Sequence, residues 1–221
     1  ETVEAAQKAI DYSTNLHQQS HGQSKSGWGY AAQSVPDLSV TGWFILQLKS
    51  AKVAGLKVNP ENFEGAIRFL DSVQTKGASA DGTDGHRYSL QPGKQPGFQS
   101  TAIGCFARQF LGWKREDLQA GVEWFVQQGG LPDWGANGAS VDMSQWHFGT
   151  LCAYQQGREV WKAWNDSLKK ALVDNQRRGG DEDGSWDPVG KHSEGWGRVG
   201  QTALGCLCLE VYYRYLPMYK D

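Results

Sequence analysis

Two kinds of apolar pattern alternate along this chain of 221 residues. One kind is amphipathic, with apolar residues at helical spacing, as in Phe63, Ile67, Leu70 and Val73. The other kind follows a Gly-rich turn and is apolar on most sides. A helix with one apolar stripe exposes its polar face, whereas a helix that is apolar all round is buried. The pattern therefore predicts outer helices that alternate with inner helices.

Four segments have the amphipathic pattern of an outer helix. The second has the clearest start, because Asn59 is a favoured N-cap and Pro60 suits the first helical position. The stripes of the other three are Val3, Ala6 and Ile10; Leu118, Val122 and Phe125; and Trp161, Trp164, Leu168 and Leu172. These stripes predict four outer helices.

The four inner segments are copies of one unit. Two of them agree closely, since Thr101-Ala-Ile-Gly-Cys105 matches Thr202-Ala-Leu-Gly-Cys206. The residues that share the register of this threonine are Thr41, Thr101, Trp146 and Thr202. Their uneven spacing indicates one structural unit with loops of variable length.

The alternation predicts an all-α fold of about four helical hairpins in two layers, forming a single domain over residues 1–221. Strand-like alternation of β-branched residues does not extend over five residues. Long loops precede the inner helices, at residues 20–36, 75–96, 129–141 and 179–197. Loops on one face of a rigid scaffold are the usual place for binding residues.

The junctions between these loops and the inner helices resemble those of terpenoid cyclases and of protein prenyltransferase β-subunits. Residues Gln176 to Trp186 resemble the QW motif of squalene cyclases, and Gly195 to Gly205 resemble the start of an inner helix in that superfamily. Weaker copies of the motif are Gln18 to Tyr30 and Gln128 to Gly135. The resemblance implies an α/α-toroid, in which the motif's glutamine bonds the N-terminus of the next helix and its tryptophan stacks over it.

The catalytic residues of those relatives are not matched. Squalene-hopene cyclases protonate their substrate with the middle aspartate of a DxDDT motif. With Thr41 in register, Asp37 matches the first aspartate, but Ser39 stands where the strong acid is needed. Prenyltransferases hold zinc with Asp-x-Cys and a distant histidine, and the chain has no Asp-x-Cys. A related fold, the complement thioester domain, needs Cys-x-x-Gln, and no Gln follows Cys206 at that spacing.

Metals and cofactors are therefore not expected. The four cysteines, Cys105, Cys152, Cys206 and Cys208, lack zinc-site spacing and are predicted to be buried free thiols. Oxygen ligands at alternate positions from Asp181 resemble a small calcium loop, but the later bidentate glutamate is missing.

Charge and hydropathy narrow the range of partners. The net charge is −2 and no basic run stands out, so nucleic-acid binding is not supported. Apolar stretches stay well short of the roughly 18 residues that a transmembrane helix needs. The remaining partners are an apolar small molecule, another protein or a second copy of the chain, and the sequence leaves the compartment open.

Three residues are candidates for catalysis. Asp37 and Asp142 share one register and would act as paired carboxylates, although an N-cap role is the alternative for each. His86 follows Asp81 and Asp84 in a polar Gly-rich loop that continues with Arg87 and Tyr88, and is a candidate acid or base.

The 10 Trp and 28 Gly predict Gly-rich turns with large rings packed around them. The rings near the predicted loop face define a candidate ligand pocket: Trp28, Tyr30, Trp43, Trp134, Trp146, His147 and Trp196. We predict a non-catalytic binding or interaction module with an aromatic pocket for an apolar ligand such as an isoprenoid or lipid. The alternative is an enzyme acting on an isoprenoid or an acidic polysaccharide through Asp37, Asp142 or His86.

Overall fold

The computed structural model describes residues 1–21, 24–75 and 86–216, and these residues are mostly helical. The all-α prediction is confirmed. The helices are α1 (Thr2–Asp11), α2 (Leu38–Val53), α3 (Pro60–Val73), α4 (Phe98–Phe110), α5 (Arg115–Gln127), α6 (Met143–Gln156), α7 (Arg158–Val173), α8 (Ser193–Leu209) and α9 (Val211–Arg214). A π-helical turn, Tyr12–His17, continues α1, and a 3₁₀ turn, Ala136–Gly138, precedes α6. Within the described part of the chain, no helix is long and apolar enough to cross a membrane.

One small sheet was not expected from the sequence. Strand β1 (Ser20–His21) pairs antiparallel with β2 (Ser24–Lys25). Two-residue strands are too short to leave an alternating pattern, which is why periodicity does not reveal them.

The chain divides into two compact units, Glu1–Lys114 and Arg115–Asp221. In the first unit, α2 packs along α4, and α3 packs on α2 and β2. In the second unit, α6 packs against α5, α7 and α8. Each unit therefore contains one pair of adjacent inner helices. The prediction that residues 1–221 form a single domain stays a prediction.

Burial distinguishes most inner helices from most outer ones. Every residue of α4 from Ser100 to Phe110 is buried, whereas α3 buries a single face. Helix α8 differs, because it buries only Ser193, Gln201, Gly205 and Cys208. In α1 the predicted stripe is only partly buried: Ile10 is inside, but Val3 is 71% exposed.

The start of α3 is as the sequence predicts. Asn59 is its N-cap, and the side-chain oxygen accepts a hydrogen bond from the Glu61 N–H at 3.0 Å. Pro60 takes the first helical position, where its missing N–H costs nothing.

Candidate functional site

A recurring hydrogen bond joins three loops to the inner helices that follow them. In each case the backbone N–H of an aromatic residue donates to a threonine Oγ1. The pairs are Trp28 with Thr41 at 3.0 Å, Tyr88 with Thr101 at 3.1 Å, and Trp186 with Thr202 at 3.2 Å. We call these bonds the threonine clasps. In α6 the position is taken by Trp146, which has no hydroxyl.

In three inner helices, an aromatic ring packs against a glycine that lies three residues after the position of the clasp threonine. A Cβ added there would lie 2.3 Å from Tyr88 at Gly104, 2.5 Å from Trp164 at Gly149, and 3.2 Å from Trp186 at Gly205. In α2 the place is taken by Phe44, whose ring stacks on Trp28 with centroids 5.1 Å apart. These rings therefore belong to the scaffold.

Trp28 was a predicted pocket residue and instead lies in the core. It is fully buried, and its indole N–H donates to the Ser13 carbonyl at 2.7 Å. Trp186 does the same with the Leu172 carbonyl at 2.7 Å. Each indole thus adds a second hydrogen bond to a carbonyl near the end of the preceding outer helix, which also accepts a backbone N–H.

Two of the three glutamines of the predicted QW motifs, Gln18 and Gln176, behave differently. Gln18 is buried and donates to the carbonyl of Asn62, in the first turn of α3, at 3.0 Å. Gln176 instead donates to the Gly184 carbonyl within its own loop, at 2.8 Å. Of these two, Gln18 is the one that reaches the N-terminus of the next outer helix.

Asp37 is the N-cap of α2. Its Oδ1 accepts hydrogen bonds from the Ser39 N–H at 2.9 Å and from the Ser39 hydroxyl at 2.6 Å. Its Oδ2 accepts a longer hydrogen bond from the Gln91 amide, at 3.3 Å. The carboxylate is 7% exposed, so these contacts occupy most of its surface.

Asp142 is the N-cap of α6 and lies in the second unit. It accepts a hydrogen bond from the Gln145 N–H at 3.0 Å, and its Oδ2 forms an ion pair with the exposed Lys191 at 3.2 Å. The common register of Asp37 and Asp142 therefore reflects a common capping position. That they act as a pair stays a prediction.

His86 is half-buried at the edge of the described residues, and its predicted partners Asp81 and Asp84 lie outside them. Its Nδ1 is buried and has no hydrogen-bond partner within the described part of the chain. Tyr88 is a core residue: burial raises the pKa of its phenol, and its hydroxyl accepts a hydrogen bond from Arg108. Tyr88 is therefore not placed to exchange protons near neutral pH.

The remaining pocket candidates differ in exposure. Tyr30, Trp43 and Trp196 are 82%, 41% and 38% exposed, respectively. His147 is 2% exposed, and burial lowers its pKa to about 4. Two of the predicted pocket residues in the second unit, Trp134 and Trp146, have ring centroids 6.4 Å apart.

Trp134 lines an open groove of about 420 Å³ in the second unit. The Trp146 ring lies behind Trp134 and is 3% exposed. The other lining residues are Leu131, Pro132, Asp133, Gly135, Ser167, Lys170, Ala171, Asp174 and Asn175. We call this the Trp134 groove.

The polar wall of the Trp134 groove comes from the last turns of α7 and the residues just after it. Lys170 donates to Asp174 at 2.6 Å, and this hydrogen bond raises the pKa of the lysine. The side-chain nitrogen of Asn175 donates to the Ala171 carbonyl at 2.9 Å. The sequence pattern missed these residues, because Lys170 and Asp174 read as an ordinary i, i+4 ion pair on the outer face of a helix.

The cysteines largely follow expectation, with one correction. Cys105, Cys152 and Cys208 are buried free thiols, but Cys206 is exposed. Cys206 and Cys208 lie on different sides of α8, and only the side of Cys208 is covered. Among the described residues, no group of three or more His, Cys, Asp or Glu side chains could hold a metal ion.

Comparisons with known proteins leave the resemblance untested. The chain matches no protein-family model, no curated protein and no solved structure. The helical fold is observed, whereas membership of the terpenoid cyclase superfamily stays a prediction.

Proposed function

We propose that this chain is a non-catalytic binding module, built on a scaffold like that of terpenoid cyclases, and that the Trp134 groove holds its ligand. One observation carries the proposal: the rings of two predicted pocket residues, Trp134 and Trp146, come together, and Trp134 lines an accessible groove. An aromatic wall with a few polar groups opposite it is the usual composition of a small-molecule site.

The predicted acids support a role without catalysis. The carboxylates of Asp37 and Asp142 are each occupied by a helix N-terminus and by further side chains, Ser39 and Gln91 at Asp37 and Lys191 at Asp142. An N-cap stabilises a protein by about 1 kcal/mol, so each aspartate has a structural reason to be present.

The lining of the groove suits a sugar ring better than an isoprenoid. A sugar ring has C–H groups on its face and hydroxyls around its edge. The indole of Trp134 offers an apolar face for the former. Around it, Asp133 and Asp174 can accept hydrogen bonds, and Lys170 can donate them. A purely apolar ligand would desolvate these charged groups and offer them no hydrogen bond.

The test is titration of the full chain with a panel of neutral disaccharides and with an isoprenoid alcohol, followed by calorimetry. We expect a disaccharide to bind, and Trp134→Ala to weaken that binding by about tenfold or more. Trp196→Ala is the matched control, because Trp196 is also partly exposed but does not line the groove.

Two results would contradict this proposal. If only the isoprenoid alcohol binds, the ligand class is the apolar one that the sequence predicts. If Trp134→Ala and Trp196→Ala have equal effects on binding, the Trp134 groove is not the site.

A second candidate function is enzymatic, and one observation favours it. The Nδ1 of His86 is buried with no hydrogen-bond partner in the described residues, as would suit a base that waits for a substrate proton. The proposal would be an enzyme acting on an isoprenoid or an acidic polysaccharide. His86→Gln should then abolish turnover of such a substrate while the melting temperature stays unchanged.

A further inference from the structure

The apolar stripe of α3 extends beyond the core of the first unit. In its second half, Leu70 and Val73 are 0% and 2% exposed. In its first half, Phe63 and Ile67 are only partly buried. An amphipathic helix normally packs its whole stripe against the core. Phe63 and Ile67 therefore keep apolar surface that the core does not cover.

This uncovered surface lines an open groove of about 280 Å³. Phe63 and Ile67 are four residues apart, so they lie on one side of α3. Val58, which precedes α3, and Phe110 and Leu111, where α4 ends, complete an apolar floor. We call this groove the Phe63 groove.

The rim of the Phe63 groove has two lysines from the last turns of α2. Lys49 and Lys52 both line the groove, and their spacing of three residues places them on the same side of the helix. The ammonium of Lys52 lies 5.9 Å from the centre of the Phe63 ring, which is a cation–π distance. The charge of Lys52 is thereby held over the apolar floor.

The lining of the Phe63 groove has an excess of positive charge. Within the described part of the chain, no ion pair joins Lys49 or Lys52 to an acidic side chain. The acidic lining residue, Glu64, instead lies 3.9 Å from the guanidinium of Arg68, which is outside the groove. The two lysines are therefore available to an anion.

An apolar floor below two lysines suits a ligand that is apolar along its length and anionic at one end. The apolar chain would remove the surface of Phe63, Ile67 and Leu111 from water. The anion would accept charge-assisted hydrogen bonds from the lysine ammonium groups. Because the rim is open, the anion also keeps contact with water, and the cost of burying its charge is small.

We infer that the Phe63 groove binds a single-chain fatty acid, with its acyl chain on the apolar floor and its carboxylate at Lys49 and Lys52. The groove is slightly smaller than the roughly 300 to 1,000 Å³ of most ligand pockets, so a medium-length chain fits better than a two-chain lipid. This site shares no residue with the Trp134 groove and does not depend on the function proposed for that groove.

Calorimetric titration of the full chain tests the ligand class. The probes are decanoate, octanoate and decyltrimethylammonium, each below its micelle concentration. We expect decanoate to bind, and octanoate to bind about fourfold more weakly or less, because each buried methylene adds up to about fourfold to the affinity. Decyltrimethylammonium has the same chain with a positive head, and should bind at least about tenfold more weakly than decanoate because the lysines repel it.

Removal of both positive charges tests the head of the ligand. Lys49→Gln combined with Lys52→Gln should weaken decanoate binding by about tenfold and abolish the preference over decyltrimethylammonium. Both lysines reach solvent, so this double variant should keep the melting temperature of the wild type.

A charge on the floor tests the position of the chain. Leu111→Glu should weaken decanoate binding by about tenfold or more, because its carboxylate repels the ligand and its polar group replaces apolar surface. Val199→Glu is the matched control, since Val199 is 84% exposed and lies in the second unit. Trp134→Ala should leave decanoate binding unchanged.

Several results would overturn the inference. Equal affinities for decanoate and decyltrimethylammonium would make the groove a general apolar surface. A loss of decanoate binding in Trp134→Ala but not in the double lysine variant would place the chain in the Trp134 groove. If decanoate does not bind, the inference is wrong, and two further measurements identify the occupant. Sedimentation of the protein with anionic vesicles would indicate a membrane contact, and a dimer that Leu111→Glu dissociates would indicate a second copy.

Discussion

Helices α4 and α8 contain nearly the same five residues in very different surroundings. Both carry Thr-Ala-x-Gly-Cys, both accept a threonine clasp, and in both a ring lies against the glycine. Yet Cys105 is fully buried in α4, whereas the equivalent Cys206 is exposed in α8. The local sequence sets the helix and its loop, and the neighbouring elements decide which sides are covered.

The comparison extends to His147, which occupies in α6 the position of Ala102 and Ala203. Burial, aided by the charge of Arg214, lowers the pKa of His147 from 6.5 to about 4. Below pH 6.5, His147 therefore binds a proton in the unfolded chain but stays neutral in the folded chain. The contribution of His147 to the free energy of unfolding is fully present above that pH. It falls by up to about 3 kcal/mol as the pH drops from about 6.5 towards about 4.

Urea unfolding at pH 7 and near pH 4.5 measures this loss. His147→Gln should remove most of the difference between the two pH values. His192→Gln, at an exposed ring, should leave it unchanged. An acid loss that is identical in the wild type and in His147→Gln would contradict the assignment.

The two glycines beneath the rings should differ in their tolerance of a methyl group. Gly104→Ala puts a Cβ 2.3 Å from the buried Tyr88 ring, which Arg108 holds at its hydroxyl, so we expect a loss of about 2 kcal/mol. At Gly205 the new Cβ would lie 3.2 Å from Trp186. Because alanine also favours the helix by about 1 kcal/mol, Gly205→Ala should be close to neutral.

Urea unfolding of both variants measures this difference. The reverse order of stability, with Gly205→Ala the more damaging, would show that the side of α8 facing Trp186 is packed more tightly than the structure indicates.

Loss of a threonine clasp should reduce the free energy of unfolding by a smaller amount, and by different amounts in α4 and α8. Thr101→Val leaves the buried Tyr88 N–H without its acceptor and should cost about 1 kcal/mol. Thr202 is half-buried, so water can replace its hydroxyl and Thr202→Val should cost less. Equal losses of unfolding free energy in the two variants would mean that water does not reach the α8 clasp.

Thiol reactivity tests the difference in exposure between Cys206 in α8 and Cys105 in α4, with little effect on stability. In the folded protein, one thiol should react quickly with a colorimetric reagent, and all four should react after unfolding. Burial raises the pKa of Cys208 to about 12, so its thiolate is scarce at neutral pH. Cys206→Ser should abolish the fast phase, whereas Cys105→Ser should leave it unchanged.

Much of the fold follows from short-range signals in the sequence. The cap at Asn59, the register of the threonines and the capping alternative for Asp37 and Asp142 all depend on contacts within a few residues. The exposure of Cys206 and the core position of Trp28 do not depend on such local contacts. They depend on whether another element covers that side of the helix, which an apolar stripe alone does not reveal.

The Trp134 groove shows the same limit of prediction from the sequence. Trp134 and Trp146 stand out in the sequence as aromatic residues near one loop. Lys170 and Asp174 come from a different helix, and only tertiary packing brings them to the groove. The sequence therefore had no means of separating this pair of rings from the other aromatic residues on the predicted list.

The threonine clasps also bear on how the chain is made. Each clasp joins residues only 13 or 16 positions apart. Contacts of such short sequence separation close quickly, because little chain entropy is lost in forming them. During synthesis, a hairpin that has just left the ribosome can form its clasp before the next hairpin has been translated. The third hairpin carries Trp146 instead of threonine, and we expect it to become ordered only when it packs against its neighbours.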